Sequence, residues 1–142
     1  MTPQRVTMIT LSVSDLTLSR AFYSALGWVE SEGGNEKIAF FKLRGLFLSL
    51  YSREALVDDI GMPIPARTTG GITLATNYDS PDQVDSAFAA ALAAGAVAVT
   101  KPEKTFWGGY SGNIADPDGH LWEYAHNPFW SFDADGYVSG DA

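Results

Sequence analysis

Between Asp116 and Trp130 the chain runs DPDGHLWEYAHNPFW, a stretch that holds both of its histidines with a glutamate between them. His120, Glu123 and His126 are the residue types that ligate divalent metals or move protons. Their spacing argues against joint action. Side chains alternate along an extended strand, so residues three apart face opposite ways. Glu123 is thereby separated from both histidines, and Asn127-Pro128 lies too late to bend the chain before His126. The histidines read as exposed or capped groups near strand ends. Glu123 keeps two chemical readings, a general base whose pKa is raised by burial and an anchor for a cationic or hydroxyl-bearing ligand.

A second stretch, TFWGGYSG (Thr105 to Gly112), sets two glycines between Trp107 and Tyr110. Adjacent glycines mark a loop or bulge where backbone passes close to something. The aromatics beside them either form a ligand platform or pack against the tail HNPFWSFDADG, and both readings stay open. The chain has no cysteine, which excludes disulfides, thiolate nucleophiles and Cys-ligated metal sites. Its formal charge of −8, with no Lys/Arg stripe, argues against nucleic acid and anionic membranes as partners. Arg5, Arg20, Arg44, Arg53 and Arg67 form no cluster for an anionic ligand. MTPQR opens no apolar signal segment, and the run Ala87 to Val99 is too short to span a bilayer. A cytoplasmic location is expected.

The elements that position these residues follow from periodicity. MITLSVSDL reads as a strand, with Met8, Thr10 and Ser12 on one face and Ile9, Leu11 and Val13 on the other. Ser14 or Asp15 caps the next helix, whose apolar stripe is Leu18, Phe22 and Ala25/Leu26, and Gly27 stops it. KIAFFKL and LFLSLYS are strands joined by a tight turn at Arg44-Gly45. REALVDDIGMPIPARTTG reads as an ordered linker on its prolines and the Gly70-Gly71 pair. The pattern then restarts. GITLATNYDS is a strand; Ser80, Pro81 and Gln83 open a helix with a capping box, and Val84, Ala87/Phe88 and Ala91/Leu92 make its stripe. AVAVT, GGYSGNIADP and HLWEYAH are the remaining strands. ITL occurs at Ile9–Leu11 and again at Ile72–Leu74. The reading is a single α+β domain over residues 1–142 built from two βαβββ modules, about 6–52 and about 71–126, with a linker 53–70 and a C-terminal extension 127–142.

VSDLTLSRAFYSALGW, GGITLA, the helix end AAGA and ADPDGHLWE together resemble the vicinal oxygen chelate superfamily, which includes glyoxalase I, the bleomycin-resistance proteins and the extradiol dioxygenases. The resemblance covers about residues 6 to 126. It implies two βαβββ modules whose inner faces make a cleft, a frequent homodimer, and, in the metal-dependent members, a divalent ion held by one side chain from the first and last strand of each module. Carried over by position, those four places are Met8, Ser49, Gly71 and Glu123. A thioether suits Cu(I) better than harder ions, glycine offers no side chain, and a hydroxyl is a poor ligand at neutral pH. No metal and no other cofactor is therefore expected. Glu123 gains a third reading, an inherited ligand position satisfied by Thr73, Ser49 or water.

Strand parity supplies the expected cleft lining: Met8, Thr10, Phe47, Ser49 and Tyr51 from the first module, Gly71, Thr73, Leu121 and Glu123 from the second, with Trp107 and Tyr110 beside them. The expected function is metal-independent binding of a small molecule, with Glu123 as the one catalytic candidate. An enzyme of the glyoxalase/dioxygenase class and a structural or interaction module are the alternatives, and whether any reaction is catalysed stays open.

Overall fold

The computed structural model describes residues 1–67 and 71–139. Gly70 of the expected linker and positions 140–142 of the extension lie outside them. The chain divides into two compact units, Met1–Ala66 with Asp135–Tyr137, and Arg67–Ala134 with the last strand. The class is α+β with two modules, as the repeat predicts.

In the first unit, β1 (Met8–Val13), α1 (Leu16–Ala25), β2 (Ile38–Lys42), β3 (Phe47–Ser52) and α2 (Arg53–Ile60) follow in order. The sheet runs β1-β3-β2, with β1 parallel and β2 antiparallel to the central β3. A single bridge, Glu30 to Phe41, is all that remains of a fourth strand. Leu11, Val13, Leu48, Leu50, Ala39 and Phe41 alternate onto the buried face, where Phe22 and Tyr23 of α1 cover them. Tyr23 meets Trp28 and Phe41 at ring-centroid distances of 5.6 and 6.1 Å. Asp15 caps α1 by accepting from the Leu18 amide at 3.0 Å. The segment between α1 and β2 is held by Arg20, which pairs with Glu30 at 3.1 Å and donates to the Asn35 carbonyl at 2.6 Å.

Two expectations are corrected here. The buried stripe of α1 is Leu16, Ser19, Phe22 and Tyr23, and Leu18 is 55% exposed. Once Asp15 caps the helix, Leu18 falls on its outer side. The first eight residues of the expected linker form α2, which ends on Gly61 at φ 72°. Glu54, Ala55 and Leu56 are good helix formers, and the prolines that argued for a loop begin only at Pro63.

The second unit holds β4 (Thr73–Asn77), α3 (Pro81–Ala93), β5 (Val97–Lys104), β6 (Tyr110–Ala115) and β7 (Leu121–His126), then the short hairpin β8 (Ser131–Phe132) and β9 (Val138–Ser139). Its sheet runs β4-β7-β6-β5, again with the first strand parallel to the last. Ser80 accepts from the Gln83 amide at 3.3 Å and Gln83 reaches back to the Asp79 amide at 2.8 Å, so the capping box forms one residue wider than expected. Val84, Phe88 and Ala91 are the buried face of α3, which packs on β6 and β7. None of the helices of the described residues is long and apolar enough to cross a membrane.

The corrected α1 stripe is checked by urea unfolding of two variants. Phe22→Ala, emptying a site 2% exposed, should cost about 3–5 kcal/mol. Leu18→Ala should change stability by no more than about 0.5 kcal/mol.

Candidate functional site

Parallel pairing of β1 with β3 sets Met8 opposite Phe47, Thr10 opposite Ser49 and Ser12 opposite Tyr51. The expected first-module residues therefore share one face of one sheet. Phe40 joins them from β2, in register with Ser49, and its ring lies 6.5 Å from that of Phe47. Sequence reading missed Phe40 because it applied parity to β1 and β3 alone. Ser49 is fully buried and donates to the Thr10 hydroxyl at 2.7 Å. Its hydroxyl is committed within the sheet.

In the second unit Thr73 pairs with Leu121 and Ala75 with Glu123. Antiparallel pairing sets Asn113 of β6 on the other side of Glu123, and β5 adds Thr100 opposite Asn113. Thr73, Leu121 and Glu123 thus share a face, as parity predicts, and Asn113, Thr100 and Ser111 extend it. Asn113 donates from Nδ2 to Thr100 Oγ1 at 2.8 Å. Glu123 is half-buried, and among the described residues its carboxylate has neither a hydrogen-bond nor an ion-pair partner. The bland reading in which Thr73 or Ser49 satisfies it finds no such contact. Its neighbours two residues along each strand are mostly short, Ala125 on its own strand and Ser111 and Ala115 on β6.

The structure places two expected site residues, Tyr110 and Trp107, elsewhere. Tyr110 lies on the opposite face of β6, paired with His126, and its hydroxyl donates to Asp85 of α3 at 2.7 Å. That bond holds the proton and raises the phenol pKa. Parity along β6 would have found this, since Tyr110 and Asn113 are three residues apart. Trp107 stands in the β5–β6 turn with its ring laid across Gly109, where a Cβ would overlap it, and Phe129 lies over Gly108 in the same way, 3.2 Å from a Cβ placed there. The two glycines are explained by these aromatics, so Trp107 and Phe129 pack the turn against the start of the extension. Gly71 precedes β4 at φ 84°, exposed, with open space about it.

The four positions that the resemblance assigns to a metal do not fit one. Met8 is 47% exposed, Ser49 is committed to Thr10, and Gly71 holds a left-handed backbone that disfavours any ligating side chain. Among the described residues no three His, Asp or Glu side chains are grouped to hold an ion. His126 lies on the face away from Glu123, as the odd spacing predicts, with its Nδ1 3.0 Å from the Tyr78 carbonyl oxygen. The backbone of His120 closes the turn at Asp116, whose Oδ1 accepts from the Asp118 and His120 amides at 2.9 Å. Among the described residues, Ser19 Oγ and Arg53 Nε are buried without a hydrogen-bond partner. Both belong to helices of the first unit, not to the face around Glu123.

Beneath Glu123, on the side of the sheet turned to α3, Tyr124 is buried and meets Tyr78 edge-on at 5.8 Å. Burial pushes both phenols up, and the neighbouring Tyr78 adds to the rise at Tyr124. The floor under the face is therefore uncharged through the neutral range.

Residues 5–124 match the family model of the Glyoxalase/Bleomycin resistance protein/Dioxygenase superfamily. Among solved structures, a glyoxalase-related enzyme from Fulvimarina pelagi is 35% identical, with 98% of this chain and 99% of that chain covered and a TM-score of 0.91. A glyoxalase/bleomycin resistance protein/dioxygenase from Nocardioides is 25% identical over 89% of this chain and 85% of that one, with a TM-score of 0.74. A lactoylglutathione lyase from Agrobacterium tumefaciens shares the fold at 22% identity, covering 93% and 100% of the two chains with a TM-score of 0.68. No curated protein matches the chain.

Two outcomes follow from this geometry. Gly109→Ala should displace the Trp107 ring, red-shifting tryptophan fluorescence and costing about 1–3 kcal/mol in chemical denaturation. A phenol whose folded pKa is raised contributes stability in full below its unfolded pKa of about 10, and that contribution is lost as pH climbs beyond it. The urea midpoint should accordingly hold from neutrality to about pH 10 and then fall, and Tyr124→Phe should flatten the fall.

Proposed function

The chain belongs to the Glyoxalase/Bleomycin resistance protein/Dioxygenase superfamily, and from that premise we propose that it binds a small organic molecule without a metal, through the sheet face around Glu123. One observation carries this reading. Of the four places the superfamily uses for metal ligands, this chain keeps a strong donor only at Glu123, and that carboxylate stands half-buried with no partner among the described residues. A lone carboxylate holds a divalent ion weakly, because divalent sites draw on several oxygen or nitrogen donors at once. The same carboxylate, set among amides, hydroxyls and short side chains, anchors an organic ligand well. The homodimer expected from the resemblance is part of the proposal.

A second reading is favoured by the Fulvimarina pelagi relative, which is described as a glyoxalase-related enzyme. In that reading Glu123 is a general base on a bound substrate, acting without an ion.

Native mass spectrometry of untagged protein purified without chelator, with metal analysis of the same sample, tests both. A metal-free species that carries an organic adduct, and keeps it in EDTA, is the expected result. A stoichiometric divalent metal that disappears on Glu123→Gln overturns metal independence. Turnover that survives EDTA and is lost in Glu123→Gln would favour the second reading over simple binding.

A further inference from the structure

We infer that the ligand of the Glu123 face is an organic cation rich in N–H donors, an amidinium or a protonated amine. This rests on the binding reading above and adds the class of ligand. The charge of the face carries it, one carboxylate unpaired among the described residues with no basic residue in register beside it. Glu123 offers two carboxylate oxygens, which accept only. Asn113, directly opposite on β6, has its Nδ2 donor directed to Thr100 Oγ1 at 2.8 Å. That amide keeps Oδ1 as a further acceptor beside the carboxylate, along with its second N–H. No residue held in register on this face is basic: β4 supplies Thr73, Ala75 and Asn77, β6 supplies Ser111, Asn113 and Ala115, and β5 supplies Thr100 and Glu103. Two residues next to this face are turned from it. Lys104 pairs with Tyr110, and His126 is turned to the Tyr78 carbonyl.

Such a face discriminates by charge and by hydrogen-bond sense. An anion would meet Glu123 and Glu103 with no basic residue in register on the face to offset the repulsion. A neutral acceptor would leave the Glu123 oxygens and Asn113 Oδ1 without donors while excluding their water, which costs more than the contact returns. An amidinium supplies several N–H donors and a positive charge together, and charge-assisted bonds to a carboxylate are the stronger kind. Shape agrees within the sheet, because Ala75, Ser111 and Ala125 beside the carboxylate are short.

The test is an amide NMR titration of the full chain with three probes of one shape: benzamidine, benzamide and benzoate. Benzamidine should shift the amides of Ala75, Asn113 and Glu123, with benzamide at least about tenfold weaker and benzoate without effect. Glu123→Gln should lower benzamidine affinity about 10- to 100-fold, the range of one charge-assisted hydrogen bond, and change benzamide by less than about twofold. Asn113→Ala, which keeps the carboxylate, should cost benzamidine a smaller, roughly three- to tenfold factor, so the inference is tested even if the first variant unfolds. If benzamide or benzoate shifts the same amides as strongly as benzamidine, the cation inference is overturned while the binding reading stands. If none of the three shifts those amides, both are overturned.

Discussion

The register of two parallel strand pairs, β1 on β3 and β4 on β7, determines which side chains this protein offers to a ligand and which it hides. Side-chain direction alternates with a period of two, so a slip of one residue would exchange the two faces entirely. Central strands β3 and β7 carry the constraint. In β3, Leu48 and Leu50 are fully buried on the side covered by α1, while Phe47 and Tyr51 turn outward with Ser49 between them. In β7, Trp122 and Tyr124 lie under α3, and Glu123 is sent to the other side. Burying a carboxylate against α3 in place of those aromatics would cost several kcal/mol in the core. The position of Glu123 is thus fixed by what its neighbours must bury.

That is why much of the face was legible in the sequence. Alternating apolar and polar residues in MITLSV and LFLSLYS, and the restart of the pattern at GITLA, were enough to place Met8, Thr10, Ser49, Thr73, Leu121 and Glu123 on their faces. The same rule failed where it was not applied or does not apply. Tyr110 sits on a strand whose parity opposes it to Asn113, but its aromatic character and its place beside the glycines outweighed the count. Trp107 lies in a turn, where alternation has no meaning, and its role follows from the bare backbone of Gly109 instead. Helix α2 was hidden because prolines ten residues downstream coloured the whole segment, although its own residues favour helix and Gly61 ends it.

The two modules share one chain path but not one strength. In the second, β5 is a full edge strand, bent where Pro102 sits against Gly112 and the register shifts between Thr100 and Glu103. In the first, the corresponding strand has shrunk to the bridge at Glu30, and the Arg20 guanidinium ties that segment through Glu30 and the carbonyls of Asn35 and Ile38. A side-chain clamp there replaces a ladder of backbone hydrogen bonds. The second sheet is accordingly the wider platform, and it carries the polar face.

The four positions that the resemblance assigns to a metal are each shaped by their local structure. At Gly71 the backbone is left-handed, so restoring a histidine would impose strain before any ion arrived. At Ser49 the hydroxyl has been taken into the sheet by Thr10. Each residue suits its local structure, and under the metal-free reading proposed above neither gives a reason for a carboxylate at Glu123. Yet Glu123 remains, half-buried and without a partner among the described residues, on a strand whose other positions are chosen for packing. A leucine there would bury more apolar surface at no desolvation cost. Stability does not account for the glutamate, whereas the cation recognition proposed above would.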